Sequence, residues 1–500
     1  MMKKPILYFL FIIFTLSSCV RELGEKFTVE RRVDSKNFKT LDSAYLYGKA
    51  EIDSIVGLAI HDVDLETIIY NLDSIEIIKV GYVYGYENEN PNFLNAKKVV
   101  FGDTILETTT DGYKFSTKIT GLGMDSTYYA RSFVIAHDLR RDVVDTGYNQ
   151  TIRKFRTLIP EDLWIKKTDF WGSGREDAVS FVLENEAYIF GGYNGLSVLN
   201  DTWKYNPEKD TWTQVASQGT APKGRKGAVS FVIYNKKQSE YQAWVGLGIT
   251  DPINNKYDST FVYYTTNTNS WRSKYRAYPD TRDGAIAFTI QIGDIERAFV
   301  GYGQNRFGVE TNDLYMYIQE ADTAGSLIAW TQVPINGSIP SERTGAVVTV
   351  IDNRAFFGTG MDNGEYKSDF WMFDGTTQYP FGLWQPITPF PGDARANAVA
   401  FSLEYTKQSI DNKVIYVGTG ISASGLKNDF FKYDLNTQQW SQISWLGGPG
   451  SVAEPRENAV GFDIVKDHDE YGINVFNRGF VGTGKIEQGY KVKDMWEYYP

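Results

Sequence analysis

Regularly spaced arginines are the residues of this 500-residue chain with the clearest chemical potential. Each stands three residues before an alanine that is followed by Val or Ile. A guanidinium group binds carboxylates through parallel hydrogen bonds, so these side chains could hold an anionic ligand. A residue repeated so regularly could instead be structural, bridging to an aspartate or to loop carbonyls, and we rank that role first. The arginines are Arg175, Arg225, Arg282, Arg343, Arg395 and Arg456.

Other residue types offer little for catalysis or metal binding. One cysteine and three histidines argue against a disulfide framework, a Cys-rich zinc site and a multi-histidine metal centre. The Gly-x-Ser-x-Gly motif, which carries the nucleophilic serine of many hydrolases, is absent from the sequence. We therefore predict no catalytic residue, no metal site and no cofactor. A pair of carboxylates across a pocket would leave no local signature, so an enzyme stays an open alternative.

Composition narrows the class of protein further. The chain has 51 basic and 62 acidic residues, a net charge of −11, which argues against general nucleic-acid binding. Hydrophobic residues make up 42% and aromatic residues 15%, and 46 glycines outnumber 16 prolines. This composition supports buried cores and favours β-rich structure. The length corresponds to more than one domain.

The N-terminus has the pattern of an export signal. Two lysines precede an uncharged segment from Pro5 to Leu16, which is too short for a transmembrane helix of about 20 residues. The following Leu-Ser-Ser-Cys resembles the bacterial lipobox, which implies cleavage before Cys19 and a lipid thioether on that residue. We predict a signal peptide at 1–18 and a flexible tether at 19–40.

Composition changes near residue 160. All twelve tryptophans follow this point. Before it, short alternating segments separated by turns predict an antiparallel β-sandwich at 41–157. The segment 121–134 resembles the tyrosine-corner strand of fibronectin type III and Ig-like modules. That resemblance implies a spacer domain.

A sixfold repeat occupies the rest of the chain. Each unit contains one of the repeated arginines, then a glycine-containing pair or triplet such as Gly191-Gly192, then an aspartate within an aromatic segment such as 369–373. Most units continue with a segment that begins at tryptophan. Each unit has room for four strands, and one such sheet cannot cover both of its faces. Sheets of this kind stack radially, so the repeat predicts a β-propeller.

Units of about 50 residues with this pattern resemble the kelch repeats of the galactose oxidase/kelch superfamily. The resemblance implies an all-β fold, a six-bladed kelch β-propeller at 164–500 preceded by the Ig/fibronectin III-like sandwich. The last unit ends at Pro500 without its Trp-led strand, and an unmatched strand begins at Trp164. We predict that the Trp164 strand completes the last blade and removes an exposed sheet edge.

Loops that share one face of the predicted propeller carry aromatic and charged side chains. Such loops on a rigid scaffold are common binding sites. Some of these rings could instead fill the central channel. In some members of the kelch superfamily the matching arginines hold acidic ligands, which implies an anion site at the channel mouth. Besides the arginines above, the candidates are Trp171, Tyr193, Tyr275, Tyr278, Tyr302, Arg306, Phe307 and Phe390.

The resemblance also limits the possible activities. Galactose oxidase uses two histidines, two tyrosines and a Cys–Tyr crosslink around copper, whereas the only histidine after residue 160 is His468. We therefore reject copper-radical oxidation and predict a non-catalytic recognition module for a glycan, a peptide or an outer-membrane protein complex. The alternative is a sialic acid mutarotase-like enzyme acting on an acidic sugar.

The domain order resembles that of Bacteroidetes-type surface lipoproteins, in which a leading module precedes kelch repeats. This implies a bacterial outer-membrane protein held only by its N-terminal lipid. Cell-surface exposure is expected, with the periplasmic face as the alternative. No nucleic-acid partner is expected.

Overall fold

The computed structural model describes residues 55–156 with short gaps between strands, and residues 162–500 except 216–221, 320–328, 336, 378–381, 408–409, 449–450, 452 and 466–476. The predicted signal peptide, Cys19, the tether at 19–40 and the start of the predicted sandwich lie outside the described residues. The chain divides into two units, Met1–Pro160 and Glu161–Pro500.

Two antiparallel sheets form the first unit. Their order is β1-β2-β6-β5 and β4-β3-β7-β8, with β9 also paired to β7. One hydrophobic cluster draws residues from both sheets, among them Leu65, Phe115, Tyr82 and Val134. Alternate residues of β7 are buried over most of its length, as expected for a strand with one face in a core. The strands are β1 (Ile55–Leu58), β2 (Val63–Tyr70), β3 (Ile75–Tyr86), β4 (Lys98–Phe101), β5 (Glu107–Thr109), β6 (Gly112–Ile119), β7 (Thr127–Asp138), β8 (Val143–Tyr148) and β9 (Arg153–Arg156).

The second unit is also built from short strands. In its first half these are β10 (Leu163–Lys167), β11 (Val179–Leu183), β12 (Glu186–Phe190), β13 (Thr202–Asn206), β14 (Thr211–Val215), β15 (Val229–Asn235), β16 (Glu240–Gly246), β17 (Ile249–Asp251), β18 (Lys256–Tyr257), β19 (Thr260–Thr265), β20 (Ser270–Ala277), β21 (Ile286–Ile292), β22 (Ile295–Gly301), β23 (Leu314–Tyr317) and β24 (Trp330–Gln332).

The remaining strands are β25 (Val347–Ile351), β26 (Arg354–Gly358), β27 (Met361–Asp362), β28 (Glu365–Tyr366), β29 (Phe370–Asp374), β30 (Leu383–Ile387), β31 (Arg395–Ala396), β32 (Val399–Lys407), β33 (Ile410–Gly418), β34 (Ile421–Ser422), β35 (Gly425–Leu426), β36 (Phe430–Asp434), β37 (Gln439–Ile443), β38 (Arg456–Glu457), β39 (Val460–Val465), β40 (Asn477–Gly482), β41 (Lys485–Ile486) and β42 (Met495–Tyr499). A short 3₁₀ turn occupies Glu487–Gly489.

The described part of the second unit contains six antiparallel four-stranded sheets. Their orders are β11-β12-β13-β14, β15-β16-β19-β20, β21-β22-β23-β24, β25-β26-β29-β30, β32-β33-β36-β37 and β39-β40-β42-β10. The first strand of each sheet contacts the first strand of the next, and β39 of the last sheet contacts β11 of the first. This closed order, together with the sequence repeat, fits a β-propeller.

Hydrophobic clusters fill the spaces between neighbouring sheets. Tyr188 of the first sheet, for example, lies 5.3 Å from Tyr264 of the second, measured between ring centroids. A further cluster joins the last sheet to the first, where Phe480 lies 5.7 Å from Tyr205. The aromatic residues of the repeat therefore pack between sheets, which explains why each unit requires its neighbours.

The outermost strand of the last sheet comes from the other end of the unit. β10 pairs with β42 in antiparallel register, with Leu163 opposite Tyr499 and Lys167 opposite Met495. Trp164 is buried and packs 4.8 Å from Phe430 of the fifth sheet and 4.9 Å from Tyr498. The pairing ties the two ends of the second unit together.

One face of the second unit carries two sets of loops, which we call the loop face. The first set joins the second and third strands of a sheet, and the second set joins the fourth strand to the next sheet. Short pairings such as β17–β18 and β27–β28 extend the first set. In the described part of the chain, none of the helical segments is long and apolar enough to cross a membrane.

Candidate functional site

The repeated arginines are buried in ion pairs. Each is at most 2% exposed. Arg456, for example, donates to Asp494 through both terminal nitrogens, at 2.6 and 2.7 Å, and to the carbonyl of Thr483 at 3.1 Å. The same bidentate arrangement joins Arg175 to Asp201, Arg282 to Asp313, Arg343 to Asp369 and Arg395 to Asp429, while Arg225 makes a single contact with Asp258.

These contacts change the expected role of the arginines. Burial alone would raise the pKa of Asp494, but hydrogen bonds from Arg456 and its charge lower that pKa below the ordinary value. A guanidinium group that is buried and bound to a carboxylate and a carbonyl does not face a ligand. We therefore assign the six arginines a structural role. This corrects the expectation that they form an anion site at the channel mouth.

A closed ring of backbone hydrogen bonds surrounds the centre of the loop face. Its members are the residues two positions after each arginine, and each N–H donates to the carbonyl of the equivalent residue in the preceding sheet, over 2.8–3.3 Å. All six have φ between 55° and 63°, a region that favours Gly and tolerates Asn and Asp. The ring consists of Asp177, Gly227, Gly284, Gly345, Asn397 and Asn458.

A cavity of about 500 Å³ lies at this ring. Six alanines, one following each ring residue, keep its wall free of large side chains: Ala178, Ala228, Ala285, Ala346, Ala398 and Ala459. Residues of the longer loops, including Gln304, Met361, Tyr366 and Ile421, also line it. Since both sets of loops contribute, the cavity belongs to the loop face.

Most charges at the cavity are paired. Lys226 Nζ lies 3.1 Å from Asp177 Oδ2, and Lys491 Nζ lies 3.1 Å from Glu176 Oε1. A third ion pair joins Lys485 to Glu457. Within the described residues, the cavity-lining Asp283 has no ion pair within 4.0 Å. It is the one carboxylate of this group left without a cation.

The neighbours of Asp283 disfavour its charged form. Burial raises the pKa of Asp283 to about 7, and the charge of Asp177 adds to the shift while Lys226 opposes it. The Asp283 carboxylate leans over Gly227, where an added Cβ would collide with Oδ1. In the described part of the chain, no His, Cys, Asp and Glu side chains are grouped so that they could hold a metal ion.

The aromatic candidates fall into two classes. Tyr278, Tyr302 and Phe390 are at most 3% exposed. The ring of Phe390 lies 4.9 Å from the guanidinium carbon of Arg395, and the hydroxyl of Tyr278 donates to the carbonyl of Val300 at 3.1 Å. These three side chains support the structure, and the expectation that they bind ligand is corrected.

The other candidates remain available. Trp171 is 56% and Phe307 74% exposed, and the Arg306 guanidinium lies 4.7 Å from the Phe307 ring. Tyr193 is half-buried beside the cavity, with Lys226 Nζ and Lys491 Nζ each 5.9 Å from its ring. Tyr275 lies in β20, and its side chain is outside the described residues.

The loop face carries further exposed apolar side chains that the sequence reasoning missed. Isolated apolar residues within turn-rich segments, such as Leu196 after Asn194-Gly195, were the available signal. Such residues are hard to distinguish from core residues without the strand positions. Beside the predicted Trp171 and Phe307, the exposed large apolar residues of this face in the described part of the chain are Leu196, Ile253, Val309, Ile335, Trp445 and Tyr490.

Known protein families match the second unit. Residues 242–468 match the KLHDC2/KLHL20/DRC7 Kelch-repeats domain, and residues 174–219 match the Kelch motif. Leucine-zipper-like transcriptional regulator 1 of Mus musculus is 24% identical over 305 residues, covering 59% of this chain and 33% of that protein. Its Drosophila melanogaster homolog is 22% identical over 279 residues, covering 55% of this chain and 27% of that protein.

A shorter match involves an enzyme. N-acetylneuraminate epimerase of Shigella flexneri is 36% identical over 109 residues, which cover 21% of this chain and 27% of that protein. The chain thus spans about a third or less of the length of these curated relatives. The matched repeats and the order of the sheets agree with each other. Together they support a kelch β-propeller in the second unit of this chain.

Proposed function

We propose that the chain is a lipid-anchored surface protein whose six-bladed kelch propeller binds a protein or peptide partner through its loop face. The observation that carries this proposal is the concentration of exposed apolar side chains on that face, Trp171 and Phe307 among them. Exposed apolar patches are typical of interaction sites, and aromatic residues dominate the energy of many interfaces. A kelch-repeat domain indicates a protein-interaction module, which is consistent with this reading.

The loop tips differ between sheets, so that one side of the loop face is more apolar than the other. The loops of the first, second and third sheets carry Leu196, Ile253 and Phe307. The corresponding hairpin of the fourth sheet has Asn363 and Gly364 at its tip, and Ser424 occupies that place in the fifth. A partner bound to the apolar loops would therefore lie off-centre on the loop face.

The test compares two matched pairs of exposed residues. The full chain and a Trp171→Ser/Phe307→Ser variant are screened against a displayed peptide library and a glycan array. We expect enrichment of peptides by the unchanged chain and a loss of about tenfold or more in the variant, since central aromatic residues each contribute about 2 kcal/mol or more. The control is Tyr241→Ser/Ile410→Ser, which removes exposed apolar residues from the strands away from the loop face. Selection of glycans alone, or equal losses in both variants, would refute a protein-binding loop face.

The anchor is a separate part of the proposal. Three parts of it rest on the sequence patterns: the lipidation of Cys19, the outer-membrane location with surface exposure, and the fibronectin III/Ig-like role of the first unit. The two-sheet architecture of β1–β9 is compatible with such a spacer. Labelled palmitate should enter the chain but not a Cys19→Ala variant. Protease added to intact cells should cleave the chain, whereas protection would indicate the periplasmic face.

A mutarotase-like enzyme is the second candidate function. Its support is the match to N-acetylneuraminate epimerase over 109 residues. The charges of the cavity oppose it, because an acidic sugar would meet three lining carboxylates and one lysine that is already paired. A mutarotation assay on N-acetylneuraminate separates the two functions. Turnover that depends on Asp283 or Glu457 would favour the enzyme over the binding module.

A further inference from the structure

We propose that the central cavity of the loop face is a binding site for one organic cation, a primary ammonium or guanidinium group carried by the partner. This inference rests on the proposed function and specifies the chemistry of the partner. A lysine or arginine side chain, or a free N-terminus, would enter the cavity while the surrounding loops contact the rest of the partner.

The dimensions of the cavity suit such a group. Its volume of about 500 Å³ lies within the range of about 300–1,000 Å³ that is typical of small-molecule sites. The ring of alanines leaves the centre open, and larger lining residues such as Met361 and Tyr366 lie on the longer loops. An extended side chain therefore has space to reach the charged residues.

The balance of charges around the cavity favours a positively charged ligand. Four carboxylates surround the cavity, and Lys226, Lys485 and Lys491 pair with three of them. The uncompensated carboxylate belongs to Asp283. A single added positive charge would complete the pairing, whereas an anion would face one unpaired and three paired carboxylates. The net charge of −11 also favours the approach of a basic partner.

The position of Asp283 makes it the contact residue. Its backbone is fixed on both sides, because its N–H donates to the carbonyl of Gln304 at 2.9 Å and its own carbonyl accepts from Gln304 at 2.8 Å. The hydroxyl of Thr344 donates to the same carbonyl at 3.2 Å. The main chain that carries the carboxylate is thus fixed at the cavity wall, and the nearby Lys226 forms its ion pair with Asp177 and not with Asp283. Preorganisation of this kind reduces the cost of binding.

Binding should depend on pH. The charged and titratable groups that influence Asp283 are Asp177, Lys226 and Tyr257. With a pKa of about 7, Asp283 is largely protonated at about pH 6 and largely ionised at about pH 8. A bound cation stabilises the ionised form, so affinity should increase over this interval.

The experiment uses small probes and the full chain. N-acetyl-lysine N-methylamide and its arginine equivalent are titrated calorimetrically at about pH 8, with the neutral norleucine equivalent as the reference. We expect millimolar binding of at least one cationic probe, with about tenfold preference over norleucine, as for a charge-assisted hydrogen bond. Asp283→Asn should abolish the preference. Glu365→Gln, which removes an exposed carboxylate of the same face, should retain it.

The outcomes separate this inference from the proposed function. Failure of both cationic probes to bind, equal binding of norleucine, or a preference that survives in a folded Asp283→Asn variant would each overturn the cation site. The Trp171→Ser/Phe307→Ser variant should still bind the cationic probe, because those side chains do not line the cavity. Loss of peptide binding in that variant with intact probe binding would support both proposals. Unchanged peptide binding with intact probe binding would overturn only the loop-face interface.

Discussion

The arginine–aspartate pair explains why both residues recur in every unit. Each guanidinium group is buried, and its partner aspartate is also bound by nearby groups, as when Trp496 Nε1 donates to Asp494 at 2.7 Å. A buried charge without its partner is strongly unfavourable. The repeated residues of the sequence are therefore those that hold each sheet to its own loop, and ligand contacts must be sought among residues that vary.

Loss of one aspartate should destabilise the propeller. Asp494→Asn leaves Arg456 buried beside a neutral amide, and we expect a decrease of about 3–5 kcal/mol in the free energy of unfolding, as for other broken buried pairs. Urea unfolding followed by circular dichroism measures this decrease. Asp294→Asn, at an exposed turn, is the control and should stay within about 0.5 kcal/mol of the unchanged chain. Equal stabilities of the two variants would show that the ion pair contributes little.

Asp283 should have the opposite effect on stability. Its pKa is about 7 in the folded chain and about 3.9 in an unfolded one, so the folded chain binds more protons between these values. Stability of the unchanged chain should therefore fall as pH rises through this window. Asp283→Asn should match the unchanged chain near about pH 4 and be more stable at about pH 8. Urea titrations at both pH values test this, with Asp294→Asn as a control for the loss of one negative charge. A pH-independent difference would contradict it.

The site could be predicted only in part at this scale. The arginines and the aspartates were visible because each performs one task in every repeat. The cavity charges were not, because the positions one and two residues after each arginine hold Glu, Asp, Lys, Gly, Thr, Ala or Asn in different repeats. Asp177, Lys226 and Asp283 come from three repeats, and only the closed ring brings them together.

At the scale of elements, the repeat predicted strands better than loops. The repeated apolar and aromatic segments correspond to strands of the four-stranded sheets. They could be predicted because the alternation of apolar and polar residues, and the glycines that end a strand, are local signals. The short pairings β17–β18, β27–β28 and β34–β35 were not predicted, because strands of two or three residues carry almost no periodic signal. Of the exposed apolar residues of the loop face, Ile253 lies in one of these hairpins, and most of the others lie in turns and irregular loops, which carry no periodic signal at all.

β10 offers a test at the scale of a single strand. Trp164 is buried between the last two sheets, and its Nε1 donates to the carbonyl of Ser444 at 3.1 Å. We expect Trp164→Ala to lower the free energy of unfolding by about 3–5 kcal/mol, the range for large aromatic residues in cores. Trp171→Ala removes an exposed tryptophan only seven residues away and should change stability by about 0.5 kcal/mol or less. Calorimetric unfolding of both variants compares them without depending on tryptophan fluorescence. Similar losses in the two would mean that β10 is not held by this contact.

At the scale of the whole second unit, the stability of each sheet depends on both of its neighbours, because the ring of sheets is closed. Every sheet shares a hydrophobic cluster with each neighbour, so local opening exposes two clusters at once. Among the described strand pairings of the second unit, that of β10 with β42 is the one that joins its two ends. The pairing also covers the edge of β42, and β10 takes the outer position that the fourth strand has in the other sheets.

A covalent link at this closure should stabilise the whole unit. Leu163 and Tyr499 are directly opposite in the antiparallel register, and such pairs place their Cα atoms about 4.5–5.5 Å apart, within the range of disulfides. A chain with Leu163→Cys, Tyr499→Cys and Cys19→Ser should gain about 2–5 kcal/mol when oxidised, because the link restricts a very long loop of the unfolded chain. Urea unfolding of the oxidised and reduced forms measures the gain within one variant. Equal midpoints in the two forms would contradict the expected gain and show that a link between the ends of the unit does not raise its stability.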